Sequence, residues 1–493
     1  MLMAKANYSF LIIVLFVYLG CNNSTEENPN IPINVLVEIG NKTITVNDFI
    51  KRCEYVPRPV YCRGDNYIHK KISLNSLIAE KIFSIEFDRR NYDTTNDQKN
   101  FIQGQKEQSM RQLLLKIFGF DKVKIDTNHV RFLSMLSNRK YEIHFISLDP
   151  KHKEKLLHLP LKSRIDDIST ILNLNIKSTK KIINKNDNMI SEIKQILYFS
   201  EPTLNTLYGP FKTQENKILC FEVSGWNKNI EITEKQKKDT WDETIKVYSE
   251  DLAKQHYEEY VKNLLKGKTI NFDPEIFPLF AKKLSKIYLI EKNKKEAVIE
   301  NRIWNQKGET EFASFDDIRK MKNRVIFTHN QEQYKISELL GLIKKHPLVF
   351  RKKSINPNQF SNELKYAIAD LIRDLYITKE AYNLGLDKNI LVINNEKKWE
   401  DYIKSLSLNS LLNKKHSSNP TPSKDLIMIV DSLQNEYSNI IKIDTDKFEK
   451  IKLSTVDMSV MYSNQPYTKL EPDFPIITND HVLDYGQKVN FLD

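Results

Sequence analysis

The stretch Val35-Leu-Val-Glu-Ile-Gly-Asn-Lys-Thr-Ile-Thr-Val-Asn-Asp-Phe-Ile50 decides how this chain is read. Apolar and polar residues alternate on both sides of Gly40-Asn41, and a period of two around a Gly-Asn turn spells a β-hairpin. Asn47 then predicts a helix cap. Further on, Leu74, Leu77, Ile78, Ile82, Ile85 and Phe87 recur at helical spacing over Ile72 to Arg90. Phe101, Met110, Leu113, Leu114 and Ile117 mark a helix over Gln98 to Phe118, and another covers Asn128 to Leu136.

The pattern returns late in the chain. Val325-Ile-Phe-Thr-His-Asn-Gln-Glu-Gln-Tyr-Lys-Ile-Ser337 reads as a second hairpin, with Ser337 in the capping place. Leu371-Ile-Arg-Asp-Leu-Tyr-Ile-Thr-Lys-Glu380 aligns without a gap on Leu77-Ile-Ala-Glu-Lys-Ile-Phe-Ser-Ile-Glu86. Two copies of one hairpin-and-helices unit are expected, with chance similarity of two amphipathic helices as the alternative. Between them, Lys140 to Leu148 and Ile218 to Val223 read as strands, 151 to 199 as helical with polar breaks, and Thr233 to Leu265 as a long charged helix. The tract Asn413 to Lys424 is the clearest linker, and residues 425–493 read as strand-like runs and loops such as Glu471-Pro-Asp-Phe-Pro475.

Composition narrows the class. Of 493 residues only 12 are glycine, against an ordinary share of about 7 %. That scarcity speaks against dinucleotide folds, phosphate loops and propellers, which depend on glycine turns. The apolar share of 40 % is enough for packed cores. The net charge of +11 comes mostly from lysine spread along the whole chain, so it is not read as a nucleic-acid footprint.

Lys5, the apolar run Tyr8 to Leu19 and the ending Leu19-Gly20-Cys21 have the layout of a secretory signal. They resemble a bacterial lipoprotein signal, which implies lipidation of Cys21, a tether over 22–34 and a periplasmic protein anchored by lipid to the inner or outer membrane. Cys53 and Cys62 could close a loop of roughly ten residues, worth about 2.5 to 3 kcal/mol, or remain two thiols. No metal-ligand spacing occurs, and neither a metal nor another cofactor is expected.

The hairpin V-x-V-x-x-G-x-x-x-I-T-x-x-x-F followed by L-x-x-L-I-x-E-K resembles the N-terminal chaperone module of the SurA and PrsA group of extracytoplasmic foldases. In that group a parvulin-type peptidyl-prolyl isomerase domain comes after the module. Tyr141-Glu-Ile-His144-Phe-Ile matches its opening strand, so the resemblance places His144 on the first of two active-site histidines. Leu207-Tyr-Gly-Pro-Phe-Lys-Thr213 matches the turn before its closing strand. The second histidine is missing, the nearest match being Ile218, and no glycine between Gly119 and Gly209 supplies the family's G-G-D-L-G segment.

The resemblance implies an α+β, mostly helical fold, with hairpin-plus-helices chaperone modules flanking a small parvulin-like α/β domain. The segments expected are a signal (1–21), the tether, a chaperone module (35–137), a degenerate parvulin-like domain (138–230), a helical connector (231–323), a second hairpin-helix module (324–412), the linker (413–424) and a C-terminal region (425–493). It further implies a holdase for unfolded or nascent envelope polypeptides. The alternatives are an active isomerase working through His144 and a non-enzymatic envelope adaptor.

Overall fold

In the computed structural model the described residues are 34–159, 163–187, 189–213, 217–229, 233–289, 313–352, 355–412, 421–453 and 471–491. The signal, Cys21, residues 22–33 of the tether and 413–420 of the linker lie outside them. The chain is a mixture of helix and small, mainly antiparallel sheets, with helix predominating. Leu115–Tyr260 form one compact unit, and the described segments before and after them form a second.

The first hairpin is β1 (Val35–Ile39) and β2 (Lys42–Thr45), turned at Gly40, whose φ of +57° suits a residue without a Cβ. Helix α1 (Val46–Glu54) begins directly after β2. Its cap is Thr45, not Asn47. The Thr45 hydroxyl accepts from the Asp48 amide at 3.0 Å, and the Asp48 carboxylate accepts in return from the Thr45 amide. An acid three residues past a threonine closes a capping box, which Asn47 has no partner to form. Asn66 caps α2 (Tyr67–Arg89) by accepting from the His69 amide at 2.8 Å, so that helix starts earlier than its apolar stripe predicts. Helix α3 (Asn96–Phe118) comes next.

The smaller unit holds α4 (Thr127–Ser137), β3 (Arg139–Leu148), the short helices α5 (Lys153–Leu157) and α6 (Asp167–Leu172), β4 (Thr179–Ile183), α7 (Ser191–Tyr198), β5 (Leu207–Lys212), β6 (Ile218–Lys228) and most of α8 (Glu234–Leu264). Its sheet runs β4-β3-β6-β5, antiparallel throughout. Strand β4 corrects the helical reading of 151–199. Thr-Lys-Lys-Ile-Ile buries only Ile183, and its lysines suit an edge that pairs with β3 alone.

The larger unit resumes with β7 (Ile270–Phe272), α9 (Ile276–Tyr288) and α10 (Ala313–Lys320). The second hairpin, β8 (Val325–His329) and β9 (Glu332–Lys335), leads into α11 (Ile336–Lys345). Strands β1 and β8 share one burial pattern. Each hairpin shifts register at the same place, between Val35 and Val37 and between Val325 and Phe327. Glu338 accepts from the Lys335 amide at 2.6 Å, as Asp48 does from Thr45. Helix α11 therefore starts before Ser337 through half of the α1 arrangement, since the Lys335 side chain has no oxygen to accept the Glu338 amide.

Then come α12 (Pro357–Asn383), α13 (Ile390–Leu412), α14 (Lys424–Glu436), β10 (Ile441–Ile443), α15 (Thr445–Lys450) and β11 (Gln487–Lys488). Of the strand-like runs expected after 424, Lys424–Glu436 and Thr445–Lys450 are helix, with Leu426, Val430 and Leu433 buried at helical spacing, whereas 471–486 is irregular. What strand there is completes the first hairpin's sheet, ordered β11-β10-β1-β2. Strand β7 completes the second sheet, ordered β7-β8-β9. The two additions match in detail. The Asp444 amide donates to Leu36 O and the Asp273 amide to Ile326 O, and each aspartate caps the helix after it. Leu36, Phe49, Phe83, Ile443 and Phe448 lie in the first core, and Ile326, Leu339, Ile368, Phe277 and Phe280 in the second.

Candidate functional site

In the smaller unit, the alternation of a strand divides the sheet into two faces. Tyr141, Ile143, Phe221 and Val223 pack on Ile193, Leu197 and Tyr198 of α7. Ile146, Leu148, Ile218 and Cys220 pack on the other side against Leu156 of α5 and Ile168 and Leu172 of α6. His144, half-buried, has the parity of this second face. Its neighbours across the ladders are Lys180 on β4 and Glu222 on β6. Ile218 pairs with Leu148 and lies in the apolar core, so the place opposite His144 belongs to Glu222.

Glu222 is 3 % exposed and engaged on both oxygens. The Arg164 guanidinium donates Nε to Oε2 at 2.9 Å and Nη2 to Oε1, and the Ile165 amide donates to Oε2 at 3.2 Å. Arg164 Nη2 also reaches Asn205 Oδ1 at 3.1 Å. Two residues away from His144, Glu142 takes a 2.7 Å ion pair from Lys180 and a 2.9 Å hydrogen bond from the Ser224 hydroxyl. Lys180, then Ser224, hold that carboxyl below its ordinary value. The His144 ring makes no hydrogen bond among the described residues.

This row of polar groups binds charge to charge within the sheet. An ionised carboxylate bonded to a guanidinium has no proton to donate to a twisting amide, and three of its roughly four acceptor sites are occupied. Cys220 adds no nucleophile, because burial pushes its thiol up to about 11.

A second concentration of function-bearing groups lies in the larger unit, between α1, α2, α13 and residues 471–473. Arg52 and Glu80 form a two-pronged ion pair at 3.0 and 2.7 Å with side chains 2 and 1 % exposed. Lys81 and Lys42 converge on Asp401, which also accepts from the Ser84 hydroxyl at 2.8 Å. Lys398 pairs with Glu471 at 2.6 Å and stands 3.7 Å from Asp48. Each ion forgoes several kcal/mol of hydration, so each needs its partner. Among them is a cavity of about 20 Å³ lined by Thr43, Ile44, Asp48, Arg52, Leu77, Glu80, Lys81 and Lys398. It has room for about one water molecule.

Cys53 and Cys62 lie beside this cluster as separate buried thiols, each within hydrogen-bonding reach of the Ser73 hydroxyl. Burial raises Cys53 to about 12 and Cys62 to about 11. Thiols so protonated are poor nucleophiles at neutral pH.

The charged cluster escapes sequence reasoning, because its members are spread from Lys42 to Glu471 and each reads alone as a solvated helix face. The spacing of Arg52 and Glu80 against the hairpin copy, where Leu342 occupies the place of Arg52, is the available signal. Among the described residues no cluster of His, Cys, Asp or Glu could hold a metal ion, and no helix is long and apolar enough to cross a membrane. No protein-family model, curated protein or solved structure matches this chain.

Proposed function

We propose that this chain is a lipid-tethered extracytoplasmic chaperone of the SurA and PrsA kind, holding unfolded or translocating envelope polypeptides. The observation that carries the reading is the apolar turn between α12 and α13. Leu384, Ile390 and Leu391 are 47, 48 and 44 % exposed within eight residues, on a helical pair otherwise rich in charge. An exposed apolar patch with a polar rim suits weak, sequence-tolerant contact with unfolded chains. Tyr67 and Ile68 are likewise exposed at the start of α2, and Val60 shortly before it. The resemblance of the hairpin and of the Tyr141-Glu-Ile-His144 strand to that family supports the same reading. The smaller unit then serves as a scaffold, its ladder position opposite His144 filled by the Arg164-bound Glu222. Acylation of Cys21 would keep the chain on the membrane where its clients emerge.

The test is light scattering of an unfolded outer-membrane protein diluted from urea. Molar excess of the chain without its signal is expected to suppress aggregation, and replacing Leu384, Ile390 and Leu391 by serine to weaken suppression severalfold at unchanged melting temperature. No suppression at any excess would sink the reading.

A further inference from the structure

Residues 471–486 contain neither helix nor strand, yet Glu471, Phe474, Ile477, Thr478 and Leu483 are buried. An irregular segment inside a core must satisfy its backbone polar groups somewhere. Here the donors are side chains of the first hairpin unit. Arg52 Nη2 donates to Asp473 O at 2.7 Å, Ser76 Oγ and Tyr61 Oη to Thr478 O at 3.3 and 3.5 Å, and Asn75 Nδ2 to Asp480 O at 2.9 Å. Contacts to carbonyls hold an extended chain whatever its side chains, which is how peptide-binding grooves tolerate many sequences. Pro472 and Pro475, both buried, bring no amide hydrogens that would need acceptors.

Two further features read the occupant's chemistry. Phe474 fills an apolar pocket made by Val56, Cys62, Ile72 and Tyr61. Glu471 pairs with Lys398, and the Asp473 carboxylate accepts from the Tyr402 hydroxyl at 3.2 Å. The second copy of the unit shows what the fold requires without such a segment. Leu342 and Leu375 stand where the first copy has Arg52 and Lys81, and both pack on its apolar core. Arg52, bonded to Asp473 O, and Lys398, paired with Glu471, therefore serve the segment laid across the first copy, whereas Lys81 serves Asp401 of α13.

We propose that the groove between α1, α2 and α13 is a binding site for extended, acidic, proline-containing polypeptide, and that residues 471–478 occupy it in cis as a stand-in for a client. This deepens the chaperone reading and rests on it. A tethered occupant competes at an effective concentration of about millimolar, so clients gain the groove only by outnumbering or outbinding it.

Two measurements test this. In fluorescence anisotropy, a labelled peptide Glu-Pro-Asp-Phe-Pro-Ile-Ile-Thr should bind a Phe474→Ala chain at least tenfold more tightly than the unmodified one. Equal affinity in a variant with an unchanged circular dichroism spectrum overturns the proposal. Should that variant not fold, the unmodified chain decides. Hydroxyl-radical oxidation of Phe474 should rise severalfold when a reduced, carboxymethylated protein is added to saturation as the unfolded client. Unchanged oxidation alongside intact aggregation suppression overturns the proposal and leaves the chaperone reading standing. Peptide binding without any suppression supports the groove and removes the chaperone reading.

Discussion

The two hairpin-helix copies of the larger unit have one plan and draw its last part from different distances along the chain. The second copy takes its third strand from β7 and the helix after it from α9, both shortly before its own hairpin. The first takes β10 and α15 from residues 441–450, far down the chain from the hairpin at 35–45. The contacts are equivalent down to the aspartate after each strand, yet loop closure is far longer in the first copy. Only that copy is crossed by residues 471–486, and only there do buried cations replace leucines. The same secondary-structure plan can thus be a self-sufficient local unit or a docking platform for a remote segment.

Removing residues 441–493 is the hardest test of that contrast. It strips β1 of β10 and takes Phe448, Ile477 and Leu483 out of the first core. Hydrogen exchange should show β1 and β2 losing protection by orders of magnitude while β8 and β9 keep theirs. Equal loss in both would mean that the two copies stand or fall as one.

A smaller effect is expected from the buried pair. Arg52→Ala leaves Glu80 charged and unpartnered and should lower stability by about 3 to 5 kcal/mol in urea titration. Replacing Arg52 and Glu80 together by leucine, the residue that stands at 342 in the place of Arg52, should cost less than either single change. A double variant as unstable as the sum of the singles would break the analogy with the second copy.

The helix caps sharpen the comparison most finely. Asp444 accepts from the Lys447 amide at 2.9 Å and from the Phe491 amide at 3.0 Å, and is 1 % exposed. Asp444→Ala should lower stability by about 1 to 2 kcal/mol. Asp273 caps α9 from a more open position, and Asp273→Ala should cost less. The amides of Ile276, then Glu275, hold the Asp273 carboxyl below its ordinary value of 3.8. Its contribution is complete above that value and is lost as pH falls through the lowered one. Acid titration of the two variants against the parent checks both size and sign.

The repeat is legible because it is written locally. Hairpin alternation, the Gly40 turn and the stripes of α2 and α3 all lie within a few residues of what they specify. Sequence places the caps two residues late because a capping box depends on a pair, Thr45 with Asp48, and a single polar residue such as Asn47 imitates half of it. Strand β4 reads as helix because an edge strand with one buried residue has almost no period of its own; its pairing with β3 decides it. Aligning motifs puts Ile218 nearest the place of the family's second histidine, whereas the ladder, in unbroken register from the Leu148–Ile218 pair, sets Glu222 opposite His144.

Sequence alone determined that this chain builds hairpins followed by long helices, and that it does so twice, because side-chain periodicity and turn chemistry act over one or two turns of backbone. Tertiary structure alone decided which strand completes which sheet, that Glu222 faces His144, and that charges from Lys42 to Glu471 meet in one core. Those outcomes depend on bringing distant residues out of water together, where each charge must find its partner, and no local pattern records that requirement.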